Sequence, residues 1–300
     1  MIPSGATIGE MGALLEQNHL IHDVAVFRYF ARYRGVDGQL KPGEYQLTAG
    51  LNLEQILGKL TKGETVVHRF TIPEGKTVAE IADLLAKAHV VDKEKFRQAA
   101  AAGKLNAAYL PAEVKLDEPL EGYLFPATYE YKAGVTETEV LNMMYARFEK
   151  VWTPELKARA KEQRLSIHQV VTLASIVEKE AQVAKERSVI AGVYQNRLNI
   201  GMKLDADPSV AYGLKKPAGA DLTAKDLTVD SPYNTYLRAG LPPGPIAAPG
   251  EASIRAALYP EHNDYWYFVA RADGSGEHYF ASTLDEQDRN IALAHTNATK

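Results

Sequence analysis

Ten residues near the start of the chain recur seventy positions later. Ile2-Pro3-Ser4-Gly5-Ala6-Thr7-Ile8-Gly9-Glu10-Met11 returns as Ile72-Pro73-Glu74-Gly75-Lys76-Thr77-Val78-Ala79-Glu80-Ile81. The register holds through Leu14-Leu15 against Leu84-Leu85 and His19-Leu20-Ile21 against His89-Val90-Val91, with eight identities at one offset. Drift rarely leaves that much, so we read a duplicated module. Each copy is expected to form a strand end and a Pro-x-Gly turn. A Thr then caps an amphipathic helix that closes near the His. Glu10 and Glu80 fall three residues after Thr7 and Thr77 and complete capping boxes.

Between the copies, Lys41 to Leu47 predicts a turn leading into a strand, Leu53 to Leu60 a short helix stopped at Gly63, and Val66 to Ile72 a strand. This texture suits a small α+β module that grips an extended polymer, or one that serves as a docking or spacer domain. His19 and His22 are at helical spacing but have no third ligand nearby, so surface or capping duty fits them better than metal binding. With no HExxH or cysteine-pair pattern, no metal and no cofactor are expected.

A second stretch, Ser166 to Gly213, carries the chemistry. Ser166 and Gln169 have capping-box spacing. Val170, Val171, Leu173, Ala174, Ile176, Val177 and Ala181 then form a broad apolar arc, with Thr172, Ser175, Lys179 and Gln182 as a polar stripe. Glu178 lies inside the arc beside the stripe. Glu180 also lies inside it, about 200° away around the axis, so the two do not share a site. Burying an ionised carboxylate is costly and favours its protonated form. A Glu held neutral by an apolar flank at the lip of a groove can act as a general acid. An ion-paired structural role is the competing use of either residue.

Net charge of -4 argues against nucleic acid as a partner, and the absence of cysteine leaves the redox compartment open. No run of about eighteen apolar residues is present. The chain opens at Met1-Ile2-Pro3 already inside a patterned segment, so a signal or anchor is expected ahead of it.

Lys93 to Lys104 reads as an Ala-rich helix ended by Gly103, and Thr136 to Arg164 as one or two helices with a fresh start at Thr153-Pro154. Between them, the aromatic block Leu120 to Tyr131 could stack on sugar rings around Glu121 or pack into the core. Ser188 to Asn199 is a helix stopped by Gly201, and Gln195, Asn196 and Arg197 near its end could line a groove or tie down the next loop. Tyr233, Asn234 and Tyr236 precede a loop with four prolines and three glycines between 240 and 250. Such a loop is stiff, and Leu241 and Ile246 must bury. Ser253 to Tyr259 is helical, residues 265–269 and 277–280 form a closing hairpin, and a terminal helix follows from Leu284.

LASIVEKE (Leu173–Glu180), then YQNRLNIGMKLDADPSVAYG, YNTY and GLPPGPIAAPG, resembles the endolytic murein transglycosylases, the MltG or YceG-like family. LEGYLFPATY and IPEGKTVAEIA fit the same pattern, so the resemblance covers nearly the whole chain. It departs where relatives often carry EGWFWPDT; here the block is Glu121-Gly122-Tyr123-Leu124-Phe125-Pro126-Ala127-Thr128.

The resemblance implies an α+β fold: a small LysM-like module (1–66), a linking segment holding the second repeat copy (67–115) and a helix-rich α+β catalytic domain (116–300). It implies cleavage of nascent peptidoglycan strands to 1,6-anhydro-N-acetylmuramic acid ends, terminating strand growth. The chain would be anchored in the inner membrane by a single pass, with cell-wall synthases as partners. It places the catalytic role on Glu178. The residues chosen for sugar contact are Gln195, Asn196, Arg197, Tyr233, Asn234, Tyr236 and Glu121. The rival is a non-catalytic peptidoglycan-binding scaffold.

Overall fold

The computed structural model describes residues 1–102, 105, 109, 116–217 and 219–299. They are a mixture of α-helices and small antiparallel sheets, an α+β fold, in two compact units. One takes residues 1–70 with 128–136; the other takes 71–127 with 137–300. The segment 128–136 thus packs with the N-terminal residues, although it lies far beyond the boundary that the sequence places at 66.

In the first unit, α1 (Ile8–Gln17), α2 (Val24–Tyr33) and α3 (Leu53–Lys62) enclose a core of Met11, Leu15, Phe27, Ile56 and Leu60. Thr7 and Asn52 cap their helices reciprocally with Glu10 and Gln55, and Gly63 ends α3 at φ 72°. β1 (Val67–Thr71) pairs with β2 (Thr128–Lys132). The strand expected over 41–47 is reduced to one bridge between Ile2 and Gly43. Its backbone groups go to separate partners instead. The Tyr45 hydroxyl donates to Lys41 O at 2.8 Å, and Val66 N–H donates to Glu44 O at 2.8 Å.

In the second unit, the repeat returns as α4 (Val78–Lys87) and α5 (Lys93–Ala101). Gly103 and Lys104, the expected end of α5, lie outside the described residues. Then come α6 (Glu137–Val151), α7 (Pro154–Glu162), α8 (Ile167–Glu180), α9 (Arg187–Asn199), α10 (Asp207–Gly213) and α11 (Glu251–Leu258). A hairpin of β3 (Tyr267–Ala270) and β4 (His278–Ala281) pairs Tyr267 with Ala281, and α12 (Leu284–Ala298) follows.

α8 is the axis of this unit, packed by α7, α9, α10 and α11. The polar stripe expected along it reaches solvent only at its end, where Lys179 is half-buried and Gln182 exposed. Thr172 and Ser175 are buried, because the helix is covered nearly all round and their hydroxyls find partners. Thr172 Oγ1 donates to His168 O, and Ser175 Oγ donates to Thr172 O while accepting from Ile246 N–H at 3.0 Å. That last bond pins the proline-rich loop to α8. His168 Nε2 lies 2.7 Å from Pro243 O and pins it again. Ile246 is buried as expected, and Leu241 is half-buried.

The aromatic block takes its packing role. Tyr123 and Leu124 are fully buried, and the Tyr123 hydroxyl bonds His168 Nδ1 at 2.7 Å. Among the described residues no helix is long and apolar enough to cross a membrane.

Candidate active site

Glu178 ends the buried run of α8, on the side that faces the start of α11. Its Oε2 accepts from Gly250 N–H at 3.0 Å and from the Ser253 hydroxyl at 2.7 Å. Oε1 has a longer contact, 3.5 Å from Arg187 Nη2. The side chain is only 7% exposed. The apolar flank expected for Glu178 is therefore corrected: an N-terminal helix amide, a hydroxyl and a guanidinium surround its carboxyl group. The helical wheel fixes which way a side chain leaves its own helix, but not that a helix start will meet it there. The result is an asymmetric carboxylate. One oxygen is held by two good hydrogen bonds, and the other is engaged only at the limit of bonding distance.

Three segments build this arrangement. The proline-rich loop delivers Gly250 as N-cap of α11, and Ser253 follows in the first helical turn. Arg187 opens α9, its side chain 18% exposed. The third segment is the turn of the second repeat copy. Gly75 N–H donates to Ala248 O at 2.8 Å, and Ala248 N–H donates to Lys76 O at 2.9 Å. Lys179 Nζ donates to Gly75 O at 3.3 Å. This brings in Glu74, whose Oε2 lies 3.9 Å from the same Arg187 Nη2. A β-carbon at position 250 would meet the Glu74 carboxylate and displace that side chain, so the glycine lets the carboxylate lie against the helix start. Partial burial raises the pKa of Glu74, the charge of Glu178 raises it further, and Arg187 opposes both.

Glu180 points away from this cluster, as its angular separation predicts. It accepts from the Tyr194 hydroxyl at 2.9 Å, and burial pushes its pKa up to about 7. Burial thus raises the pKa of the Glu180 carboxyl group.

The expected sugar-contacting residues divide into two sets. Arg197 is buried and donates to Trp266 O at 2.7 Å and Leu204 O at 2.6 Å. Asn196 donates to Asn263 O and Tyr265 O, both at 2.9 Å, and buried Asn234 donates to Leu227 O and Val229 O. These three tie loops down. Glu121, 2% exposed, accepts from Val78 N–H at the start of α4 and from the Tyr212 hydroxyl; burial lifts its pKa to about 8. Gln195, Tyr233 and Tyr236 are half-buried. Gln195 bonds Asn199, Tyr233 packs on Tyr212, and Tyr236 donates to Asp207 at 2.7 Å.

Sequence reading missed Glu74, Arg187, Gly250 and Ser253. The one available signal was the repeat itself, because Glu74 stands where the first copy has Ser4.

The sequence profile of the YceG-like family matches residues 1–293. The chain belongs to the YceG-like family. Among YceG-like relatives, a Bacillus subtilis protein named endolytic murein transglycosylase is 35% identical over 96% of this chain and 82% of its own length. A Streptococcus pneumoniae protein of the same name is 32% identical over 99% of this chain and 58% of its own length, so the chain spans little more than half of that relative. The crystal structure of a yceG-like protein from Listeria monocytogenes superposes with a TM-score of 0.66 at 36% identity, covering 96% of this chain and 97% of that one.

Proposed function

We propose that this YceG-like chain is an endolytic peptidoglycan lytic transglycosylase with Glu178 as its single proton shuttle. The observation that carries the reading is the asymmetric carboxylate of Glu178, within the SIVEKE motif of a chain from this family. Oε2 is fixed by Gly250 and Ser253, so the rotamer is set before substrate arrives. Oε1 is the oxygen available for proton transfer.

The substrate is a glycan strand of alternating N-acetylmuramic acid and N-acetylglucosamine. Protonated at Oε1, Glu178 gives its proton to the glycosidic oxygen as the bond to muramic C1 breaks. The muramic C6 hydroxyl attacks C1 from within the same sugar, and its proton returns to Oε1. The products are a new N-acetylglucosamine 4-hydroxyl and a 1,6-anhydro end, with no water consumed. One acid–base group suffices here, unlike the paired carboxylates of hydrolytic glycosidases. Acid–base assistance of this kind is worth roughly 10²–10⁴-fold. Positive charge developing at C1 would meet the Glu178 and Glu74 carboxylates once the proton has left.

Gln195, Tyr233 and Tyr236 are the sugar-lining residues we retain, while Asn196, Arg197, Asn234 and Glu121 act by holding the loops. Residues 1–66 are read as a LysM-like glycan-gripping module, 67–115 as the segment linking it to the rest and 116–300 as the catalytic domain. Cutting nascent strands would make the protein a terminator of elongation. It would work from a membrane anchor on the extracytoplasmic face, beside cell-wall synthases.

The test is mass spectrometry of purified glycan strands digested by the wild type and by Glu178→Gln. We expect anhydro-muropeptides from the wild type and a loss of 10²–10⁴-fold in the folded variant. Reducing ends one water heavier would identify a hydrolase. Full activity in Glu178→Gln would remove Glu178 from the mechanism, and no cleavage by the wild type would favour the binding scaffold.

A further inference from the structure

Two carboxylates approach one guanidinium in the second unit, and neither holds it closely. Arg187 Nη2 is 3.5 Å from Glu178 Oε1 and 3.9 Å from Glu74 Oε2. Its Nε is buried and has no hydrogen-bond partner among the described residues. The guanidinium therefore works here as a divided charge. Glu74 is set in place by its backbone, although its side chain is 48% exposed. Its backbone is clamped to the proline-rich loop through Gly75, Lys76 and Ala248, and its carboxylate covers the α-carbon of Gly250, the residue whose N–H holds Glu178.

The other charged groups on the elements packed about Glu178 have partners elsewhere. Lys179 turns to Gly75 O, and Lys76 pairs with Glu80 at 3.1 Å. Glu180 faces Tyr194, and the charges of Asp207 and Arg197 act on it. On α11, Arg255 pairs with Glu251; on α7, Arg159 bonds Leu258 O and pairs with Glu162. Among the described residues, Glu74 and Arg187 are the charges that face Glu178.

We propose that Glu74 is a positioning residue of the same site: by sharing Arg187 it keeps the guanidinium from closing on Glu178, leaving Oε1 able to take and release a proton. The inference rests on the transglycosylase reading of Glu178. Two like charges on one counter-ion favour proton uptake by the pair, whereas one carboxylate with an undivided guanidinium stays ionised. The raised pKa of Glu74, which burial and Glu178 cause together, agrees with that coupling.

Opposite charge changes should act in opposite directions. Glu74→Gln, isosteric and at a side chain 48% exposed, leaves Arg187 to Glu178 alone. The basic limb of the turnover–pH profile should move to lower pH by about one unit, which at the alkaline end is about a tenfold fall in kcat. KM should be unchanged. Arg187→Gln should move the limb to higher pH, and the double variant should recover part of the Glu74→Gln loss. A merely structural role would lower the rate without opposed shifts.

Carbon-13 titration of the glutamate carboxyls, with Glu178 assigned by its Gln variant, tests the coupling without substrate. The Glu178 transition should move acid in Glu74→Gln. That measurement holds even if the wild type cleaves nothing, which would sink the transglycosylase reading alone. Coincident titrations of Glu178 in the wild type and Glu74→Gln would overturn the role of Glu74, whatever the activity.

Discussion

The two copies of the repeat match at the level of single dihedral angles. Thr7 and Thr77 cap their helices with reciprocal Glu10 and Glu80, Gly5 and Gly75 turn at φ 79° and 73°, and His19 and His89 both sit at φ 55°. The likeness runs past the segment that sequence comparison aligns. Asp23 caps α2 as Asp92 caps α5, Phe27 and Phe96 are both fully buried, and Ala31 matches Ala100. The surroundings of the turn differ. A β-carbon on Gly5 would meet open space, whereas one on Gly75 would touch Glu178 Cγ at 3.6 Å. Exposed Ser4 in the first copy becomes Glu74, paired with Arg187, in the second. Duplication preserved what folding needs, the cap, the turn and the buried ring. Glu74 stands at a position that the shared frame leaves free.

That division can be tested. If Phe27 and Phe96 are equivalent core anchors, each change to Ala should cost about 3–5 kcal/mol, read from denaturant unfolding. A large inequality would mean that the two frames bear unequal loads.

The next effect separates the copies through pH. Only α4 has its first amide held by Glu121, a buried acid raised from the ordinary 4.5 to about 8. A raised carboxyl contributes stability that is complete below pH 4.5 and is lost as pH rises toward 8. Thermal unfolding of the wild type should therefore weaken across that window, and Glu121→Gln should flatten the slope. The smaller rise of Glu180, to about 7, keeps some of it in both. An unchanged slope would show that Glu121 is charged in the fold.

The smallest effect concerns the shared caps. Thr7→Ala and Thr77→Ala should each cost about 1 kcal/mol, since each hydroxyl accepts one helix-start amide. Thermal melts of the pair check the symmetry directly.

Much of this was readable in the chain. Ser166, Thr153, Gly63 and Gly201 marked helix ends because capping depends on neighbours three or four residues apart. The hairpin near the C-terminus was visible in its clustered aromatics. The second helix of the later copy was legible over Lys93 to Lys104, but its counterpart α2 in the first copy was not, and their kinship was hidden by a one-residue shift between Ile21 and Asp23. The sugar-contact candidates are mostly polar heads near a helix end or loop. Such heads serve substrates and loop carbonyls equally well, and Arg197, Asn196 and Asn234 went to carbonyls.

By itself, the sequence determined the local frame and the family: the caps, turns, apolar arcs and the motifs shared with relatives, SIVEKE with its Glu178 among them. Only the tertiary structure decided what stands around that carboxyl group. Gly250 and Ser253 lie more than seventy residues from Glu178 along the chain, and Glu74 more than a hundred. No periodicity extends across such distances. Packing brings a helix start, an arginine and a second carboxylate to one place, and hydrogen bonding and charge there replace the hydrocarbon that the helix pattern predicted.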